Sequence, residues 1–337
     1  MLEIEFHDRE KELEEITSIL NTRADLITFV YGPINSGKTE LFQQLIKTLP
    51  KDFVVFYVNL RGKFIRDYDD FVRILFKFKR TGKEEVLKEI LRHSLRALSF
   101  KGIPVPESVL DVIFAKRRTE DVFEFLEDYL SKISDEKIPV LVIDELQVIG
   151  DIKIDDLLIY KLFNFFVRLT KELHICHVFA VTSDSLFIEK IYSDAMLYGR
   201  CRYLLIDDFD YNTTADFLRK YGFNSEEIEL IWNTFGGKPI YLVEAIKNKR
   251  RLKELCDFWF RLRRRQIRDS LYTLDNDSRK SVLKLFLAFK DREVIDYEFM
   301  SDELIWCVKQ NILFIDPVYE LIKPQSKLDL LAIRSLL

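Results

Sequence analysis

Five short apolar runs with almost no polar interruption, at 26–31, 53–60, 140–143, 178–181 and 203–206, punctuate the first two-thirds of the chain. Strands buried on both faces of a parallel sheet have this character, because neither face calls for polar side chains. Between the runs, apolar positions recur at helical spacing over 40–49, 69–78, 84–98, 120–133 and 157–173. In the fourth of these, Val122, Phe125, Leu126, Tyr129 and Ile133 share one face, the stripe of a helix that lies on a sheet. Strands alternating with helices predict an α/β fold with a parallel sheet of about five strands covered on both faces. The stretch 62–118 is longer than a crossover requires and reads as inserted helices, with a loop at 102–106.

Beyond Asp208 the strand runs stop. Helical segments at 213–221 and 225–234 end at Gly236-Gly237, and a further helix begins at Pro239, since proline suits the first helical position. Helices at 278–288 and 301–310 then precede two extended runs, 312–315 and 319–322, around an Asp316-Pro317 turn. Helices followed by such a hairpin predict a winged helix. The expected organisation is a first domain at 1–208, a helical lid at 209–270 and a winged-helix domain at 271–337.

At 337 residues the chain exceeds the roughly 250 to 300 at which single cores stop growing. A content of 48% hydrophobic and 32% charged residues describes a globular protein, and no apolar stretch reaches the roughly 18 residues of a membrane span. The acidic N-terminus lacks the layout of a signal peptide, so the expected location is the cytoplasm. Cys176, Cys201, Cys256 and Cys307 are scattered, which points to neither a zinc site nor a disulfide framework. The formal net charge of -4 gives no global attraction to nucleic acid.

The segment Gly32-Pro33-Ile34-Asn35-Ser36-Gly37-Lys38-Thr39 fits the phosphate-loop pattern and lies directly between a strand run and a helix. Its glycines let backbone N–H groups close around phosphates, the helix offers its N-terminal dipole, Lys38 reaches the β- and γ-phosphates and Thr39 can ligate Mg²⁺. The cofactor-binding set is Arg9, Pro33, Asn35, Ser36, Gly37, Lys38, Thr39, Glu40 and Pro239. A second apolar strand, 140–143, ends in Asp144-Glu145, where Asp144 can hold the metal shell with Thr39 and Glu145 can act as base toward a water. The run 53–60 lies between the two motifs in sequence and reads as the inserted strand of the additional-strand ATPases. Thr182-Ser183-Asp184 is either a γ-phosphate sensor or a capped strand end. Arg200 is either a cation for the transition state, from its own or a neighbouring subunit, or a solvated surface residue. The cluster Arg261, Arg263, Arg264, Arg265 and Arg268 is either a solvated helix face or a phosphate-binding stripe.

The phosphate loop, Asp144-Glu145-Leu146-Gln147, Tyr198-Gly199-Arg200 and Gly236-Gly237-Lys238-Pro239 together resemble the archaeal ATPase family of the STAND class, relatives of the AAA+ proteins. Phe6-His7-Asp8-Arg9-Glu10-Lys11-Glu12-Leu13 is similar to that family's adenine-side motif. The resemblance implies an adenine nucleotide, ATP or ADP, held between the first domain and the lid, with Gly237-Lys238-Pro239 near the adenine and a winged helix following. No arginine stands early in the helix after Pro239, where many AAA+ relatives carry a sensor.

Two functions follow. One is a slow, Mg-dependent ATPase switch, monomeric or assembling with nucleotide, that moves lid and winged helix against a protein partner. The other is a DNA-binding regulator, whose duplex affinity would fall steeply with salt. The candidate reading helix carries acidic Asp302 and Glu303 and apolar Leu304, Ile305, Trp306 and Val308, which suits protein at least as well as a DNA groove.

Overall fold

A computed structural model describes residues 4–80, 82–92, 96–107, 119–150, 158–193 and 195–337. In chain order the first elements are α1 (Glu10–Leu20), β1 (Ile27–Tyr31), α2 (Lys38–Thr48), β2 (Phe53–Asn59), α3 (Tyr68–Leu75), β3 (Phe76–Lys79) and α4 (Lys83–Leu91). Then come β4 (Leu98–Lys101), β5 (Ile103–Pro106), α5 (Thr119–Ser134), β6 (Ile138–Asp144), α6 (Leu158–Val167), β7 (His177–Val181), α7 (Ser185–Tyr192) and β8 (Cys201–Leu205). All five predicted strands are present. They form a parallel sheet of six strands in the order β4-β2-β6-β7-β1-β8.

The sixth strand is β4, which falls where the sequence pattern extended a helix to residue 98. Its alternating burial is that of an edge strand, and Phe100 stacks on Phe56 at 6.0 Å. The predicted loop at 102–106 is likewise a strand: β5 pairs in parallel with β3, and Ile103 and Val105 are fully buried. Pro104 and Pro106 disguise it, and Gly102, at φ 91, turns the chain between β4 and β5. The strand that separates β1 from β6 in space is β7, whereas β2 lies on the far side of β6. The additional-strand architecture therefore holds, with 177–181 rather than 53–60 as the intervening strand.

Successive residues of β1 feed opposite faces of the sheet. Ile27, Phe29 and Tyr31 enter the core beneath α5 and α6, and Val30 joins the core formed with α1 and α2. Every carboxyl end of the sheet thus emerges at one rim, between two anchored helical layers.

The remaining elements are α8 (Tyr211–Lys220), α9 (Ser225–Phe235), α10 (Pro239–Lys247), α11 (Leu252–Leu271), α12 (Asn276–Leu287), β9 (Ile295–Asp296), α13 (Asp302–Lys309), β10 (Leu313–Asp316), β11 (Leu321–Pro324) and α14 (Lys327–Arg334). Leu252 and Cys256 of α11 belong to the lid core, and Ile267 and Leu271 belong to the C-terminal core. One continuous helix therefore serves both units. The predicted hairpin exists as antiparallel β10 and β11, with β9 added to β11.

Candidate functional site

The phosphate loop leaves β1 at Tyr31. A methyl group on Gly32 would lie 2.1 Å from the Ile206 carbonyl oxygen, so this position accepts no side chain. Asn35 and Gly37 take left-handed backbone angles, φ 61 and φ 96, which curl the loop into the N-terminus of α2. Lys38 is buried and donates to the carbonyls of Gly32 and Pro33 at 2.9 and 2.8 Å and to Ser36 Oγ at 3.3 Å. Burial first, and then the cation of Lys238, push its pKa down to about 7, against the pull of Glu145, Asp144 and Asp208. A lysine so crowded by positive charge favours an anion in the loop.

Thr39 Oγ1 donates to Asp144 Oδ2 at 2.9 Å, joining the loop to the tip of β6. The same oxygen accepts from Tyr57 Oη at 2.5 Å and from Asn59 Nδ2 at 3.3 Å, both on β2. Burial and the carboxylate raise the Tyr57 pKa, so its phenol remains a donor. A hydroxyl beside a carboxylate is the hard-oxygen pair that Mg²⁺ takes when water and phosphate complete its shell. Among the described residues no cluster of three His, Cys, Asp or Glu side chains offers an alternative, protein-only metal site.

Glu145 has a left-handed backbone, φ 62, at the sharp turn that ends β6. Arg61 donates to Oε1 through Nε at 3.1 Å and also through Nη2, and Gln147 Nε2 donates to Oε2 at 2.6 Å. Thr182 Oγ1 in turn donates to Gln147 Oε1 at 2.7 Å. Thr182 is thus joined to the Glu145 network, whereas Asp184 caps α7 by accepting from Leu186 N and Phe187 N at 2.9 and 3.3 Å. The strand end is therefore capped at Asp184.

A cavity of about 520 Å³ opens between this rim and the lid. Asn35, Ser36, Gly37, Lys38, Thr39 and Glu40 line it from the phosphate loop and α2, and Arg9 and Pro239 line it as well. Arg9 is held by Glu12 Oε1, Ser36 O and Asp207 O at 2.6, 2.8 and 2.5 Å, and its guanidinium lies 4.5 Å from the Phe209 ring centroid. It braces the loop against the lid. His7 stacks on Phe217 at 4.9 Å, and burial, followed by the nearby Lys220, lowers its pKa, so a neutral aromatic pair lines this cavity. Gly237 allows the lid turn to pass Phe209, whose carbonyl oxygen would lie 1.8 Å from an added methyl.

Arg200 stands elsewhere. Its carbonyl accepts from Ile27 N at the start of β1, a full strand length from the loop at the other end. At roughly 3.3 Å per residue that is about 16 Å, too far for action on the same chain's phosphates. Sequence reasoning missed Arg61, Tyr57 and Asn59, although all three lie at the carboxyl end of a predicted strand, where a site on a parallel sheet gathers.

Phosphate loop, buried lysine and the Thr39–Asp144 contact beside this cavity define a P-loop nucleotide-binding protein. More specifically, the chain belongs to the archaeal ATPase family. The family model described as "ATPase domain predominantly from Archaea" matches residues 6–245, and that of the MJ1010-like ATP-binding protein C-terminal domain matches 253–337. An ATP-binding protein of Pyrococcus abyssi is 48% identical over 334 residues, covering 98% of each chain. One of Methanocaldococcus jannaschii is 48% identical over 352 residues, covering 99% of this chain and 98% of its own. Among solved structures, the Walker-type ATPase Paby2304 of Pyrococcus abyssi aligns with TM-score 0.67 at 15% identity over 98% of this chain and 96% of its own. The ORC2 protein of Aeropyrum pernix aligns with TM-score 0.54 at 12% identity, covering 100% and 95%. These two likenesses concern the fold.

Proposed function

We propose that this ATP-binding protein hydrolyses Mg·ATP slowly and uses the cycle as a switch that moves the lid and the C-terminal domain against a protein partner. The observation that carries this reading is the 2.9 Å contact between Thr39 and Asp144, directly beside the Lys38 loop and Glu145. In this reading Lys38 neutralises the phosphates, and Thr39 and Asp144 hold Mg²⁺, which supplies Lewis acidity at the phosphate oxygens when bound. Glu145 orients and deprotonates the attacking water. Slow turnover fits because both Glu145 oxygens already accept hydrogen bonds, so the base must be freed before it can take a proton. His7, Phe217 and Pro239 hold the adenine.

The working units of this reading are 1–208, 209–270 and a winged-helix module at 271–337. A protein partner is favoured over DNA because α13, the helix in the reading position, begins with acidic Asp302 and Glu303 and buries Leu304, Cys307 and Val308. Any catalytic role of Arg200 requires a neighbouring subunit. Calorimetry with MgADP and MgATP, paired with phosphate release at saturating MgATP, tests the reading. Binding that depends on magnesium and a measurable turnover are expected. Absence of heat with either nucleotide would refute it.

A further inference from the structure

The phosphate loop is gripped from outside its own domain. At Ile34 the N–H donates to Gln325 Oε1 at 3.2 Å, and the carbonyl accepts from Lys238 Nζ at 2.8 Å. One residue of the loop crest is thereby pinned by the C-terminal domain on one side and by the lid on the other. Both pins are buried and fixed by their own partners. Gln325 donates to Leu313 O at 3.3 Å, and its backbone N donates to Ile312 O at 2.9 Å. Lys238 is paired with Asp208 at 3.0 Å.

The rest of the C-terminal docking surface reaches the same rim. Tyr31, the residue before Gly32, donates to buried Asp316 at 2.8 Å and stacks on Phe314, and Ile315 N donates to Ser185 Oγ at 3.3 Å. A second cavity of about 380 Å³ lies on the Glu145 side of the loop. Glu145, Arg61 and Gln147 line it from the ATPase domain, and Lys309, Asn311 and Gln325 wall it from the C-terminal domain.

We infer that Gln325 and Lys238 are positioning residues of the phosphate loop, and that the docked C-terminal domain, through Gln325, is a working part of the nucleotide site. The loop is already curled at Asn35 and Gly37, so pins at Ile34 hold a receptive shape and reduce the ordering that binding would demand. Reciprocity follows: if docking tightens nucleotide binding, nucleotide tightens docking by the same factor. This rests on the proposed nucleotide reading only as far as binding, not on turnover.

The test uses the full chain. Gln325→Met keeps the side-chain volume and removes the acceptor. It should raise the MgADP Kd by about three- to tenfold, the worth of one hydrogen bond. In the wild type, MgADP should slow amide exchange across β10 and β11, and in the variant that slowing should shrink by a similar factor. An unchanged Kd, or exchange in the wild type that ignores nucleotide, overturns the inference. Should Gln325→Met fail to fold, Lys323→Met removes the ion pair to Asp207 and loosens the same surface without touching Ile34. It should weaken MgADP binding in the same direction, and faster exchange in β10 with an unchanged Kd also overturns the inference. A wild type that binds no nucleotide refutes the site itself, whereas normal wild-type binding with an indifferent variant refutes only the coupling.

Discussion

Replacing Glu145 by glutamine isolates the proton-accepting step because the surrounding hydrogen bonds can absorb the change. Glu145 Oε1 accepts from Arg61 Nε at 3.1 Å, Oε2 accepts from Gln147 Nε2 at 2.6 Å, and Gln147 Oε1 accepts from Thr182 at 2.7 Å. In the variant the amide oxygen can stay on Arg61 while its new NH₂ faces Gln147. A half-turn of the Gln147 carboxamide then presents Oε1 to that NH₂ and Nε2 to the Thr182 hydroxyl, which accepts instead of donating. Glu145, Gln147 and Arg61 keep their mutual contacts, and the Thr182 hydroxyl proton alone gives up its Gln147 acceptor. What is lost is the charge of the pair with Arg61, whose side chain is 66% exposed, and screening limits that loss to about 1 kcal/mol or less. Melting should therefore fall by roughly 2–4 °C at most. Loss of a general base slows turnover by about 100-fold or more, near 2.7 kcal/mol of barrier. Phosphate release at saturating MgATP measures the rate, and calorimetry of MgATP verifies that affinity is kept. Turnover within about threefold of wild type would remove Glu145 from the chemistry.

Lys38→Ala should weaken MgADP binding, and an unaltered Kd would undo the assignment. Because the pKa of Lys38 is lowered to about 7 in the free protein, the unfolded chain holds its proton more tightly; Lys38 therefore disfavours folding below that pH, and the penalty fades as pH rises toward the ordinary lysine value. A bound phosphate reverses the preference, so binding at pH 8 should take up a proton, seen as heats that differ among buffers of different ionisation enthalpy. Buffer-independent heats would refute this. Arg200→Ala should leave nucleotide affinity unchanged, and any rate loss should appear only where turnover per chain rises with protein concentration. Gly237→Ala should separate the lid turn from Phe209, where an added methyl has 1.8 Å of room, and lower both melting temperature and nucleotide affinity; a variant as stable and as tight as wild type would refute that role.

The phosphate loop was legible because its chemistry is local: eight successive residues carry it from Gly32 to Thr39, and the strand before it and the helix after it are both strongly patterned. Asp144 and Glu145 were legible for the same reason, as polar residues ending an apolar run. β4 was not, because four residues with two apolar positions are shorter than any window that distinguishes strand from helix end. β5 was concealed by prolines, which ordinarily signal a loop, yet its mate β3 borders it on one side only and tolerates them. Arg61 lay in full view but carries no pattern, and Gln147, though part of the Asp144-Glu145-Leu146-Gln147 run, showed no role there; their meaning comes from Glu145, which pairs with Arg61 across 84 residues of sequence.

The contacts that pin the loop are separated even further, 204 residues between Lys238 and Ile34 and 291 between Gln325 and Ile34. No periodicity links such residues, because neither pin belongs to the apolar stripe that folds its own element. They answer to a backbone N–H and a backbone carbonyl, groups every residue carries, so the partner's identity at position 34 leaves no trace in the sequence. What places them is the sheet. β1 delivers the loop to the rim, β8 sends the chain into the lid beside it, and α11 runs through the lid core into the C-terminal core and returns β10 and β11 to the same rim. Local motifs thus specify that phosphate can be held, and the packing of distant units on one strand end specifies how firmly.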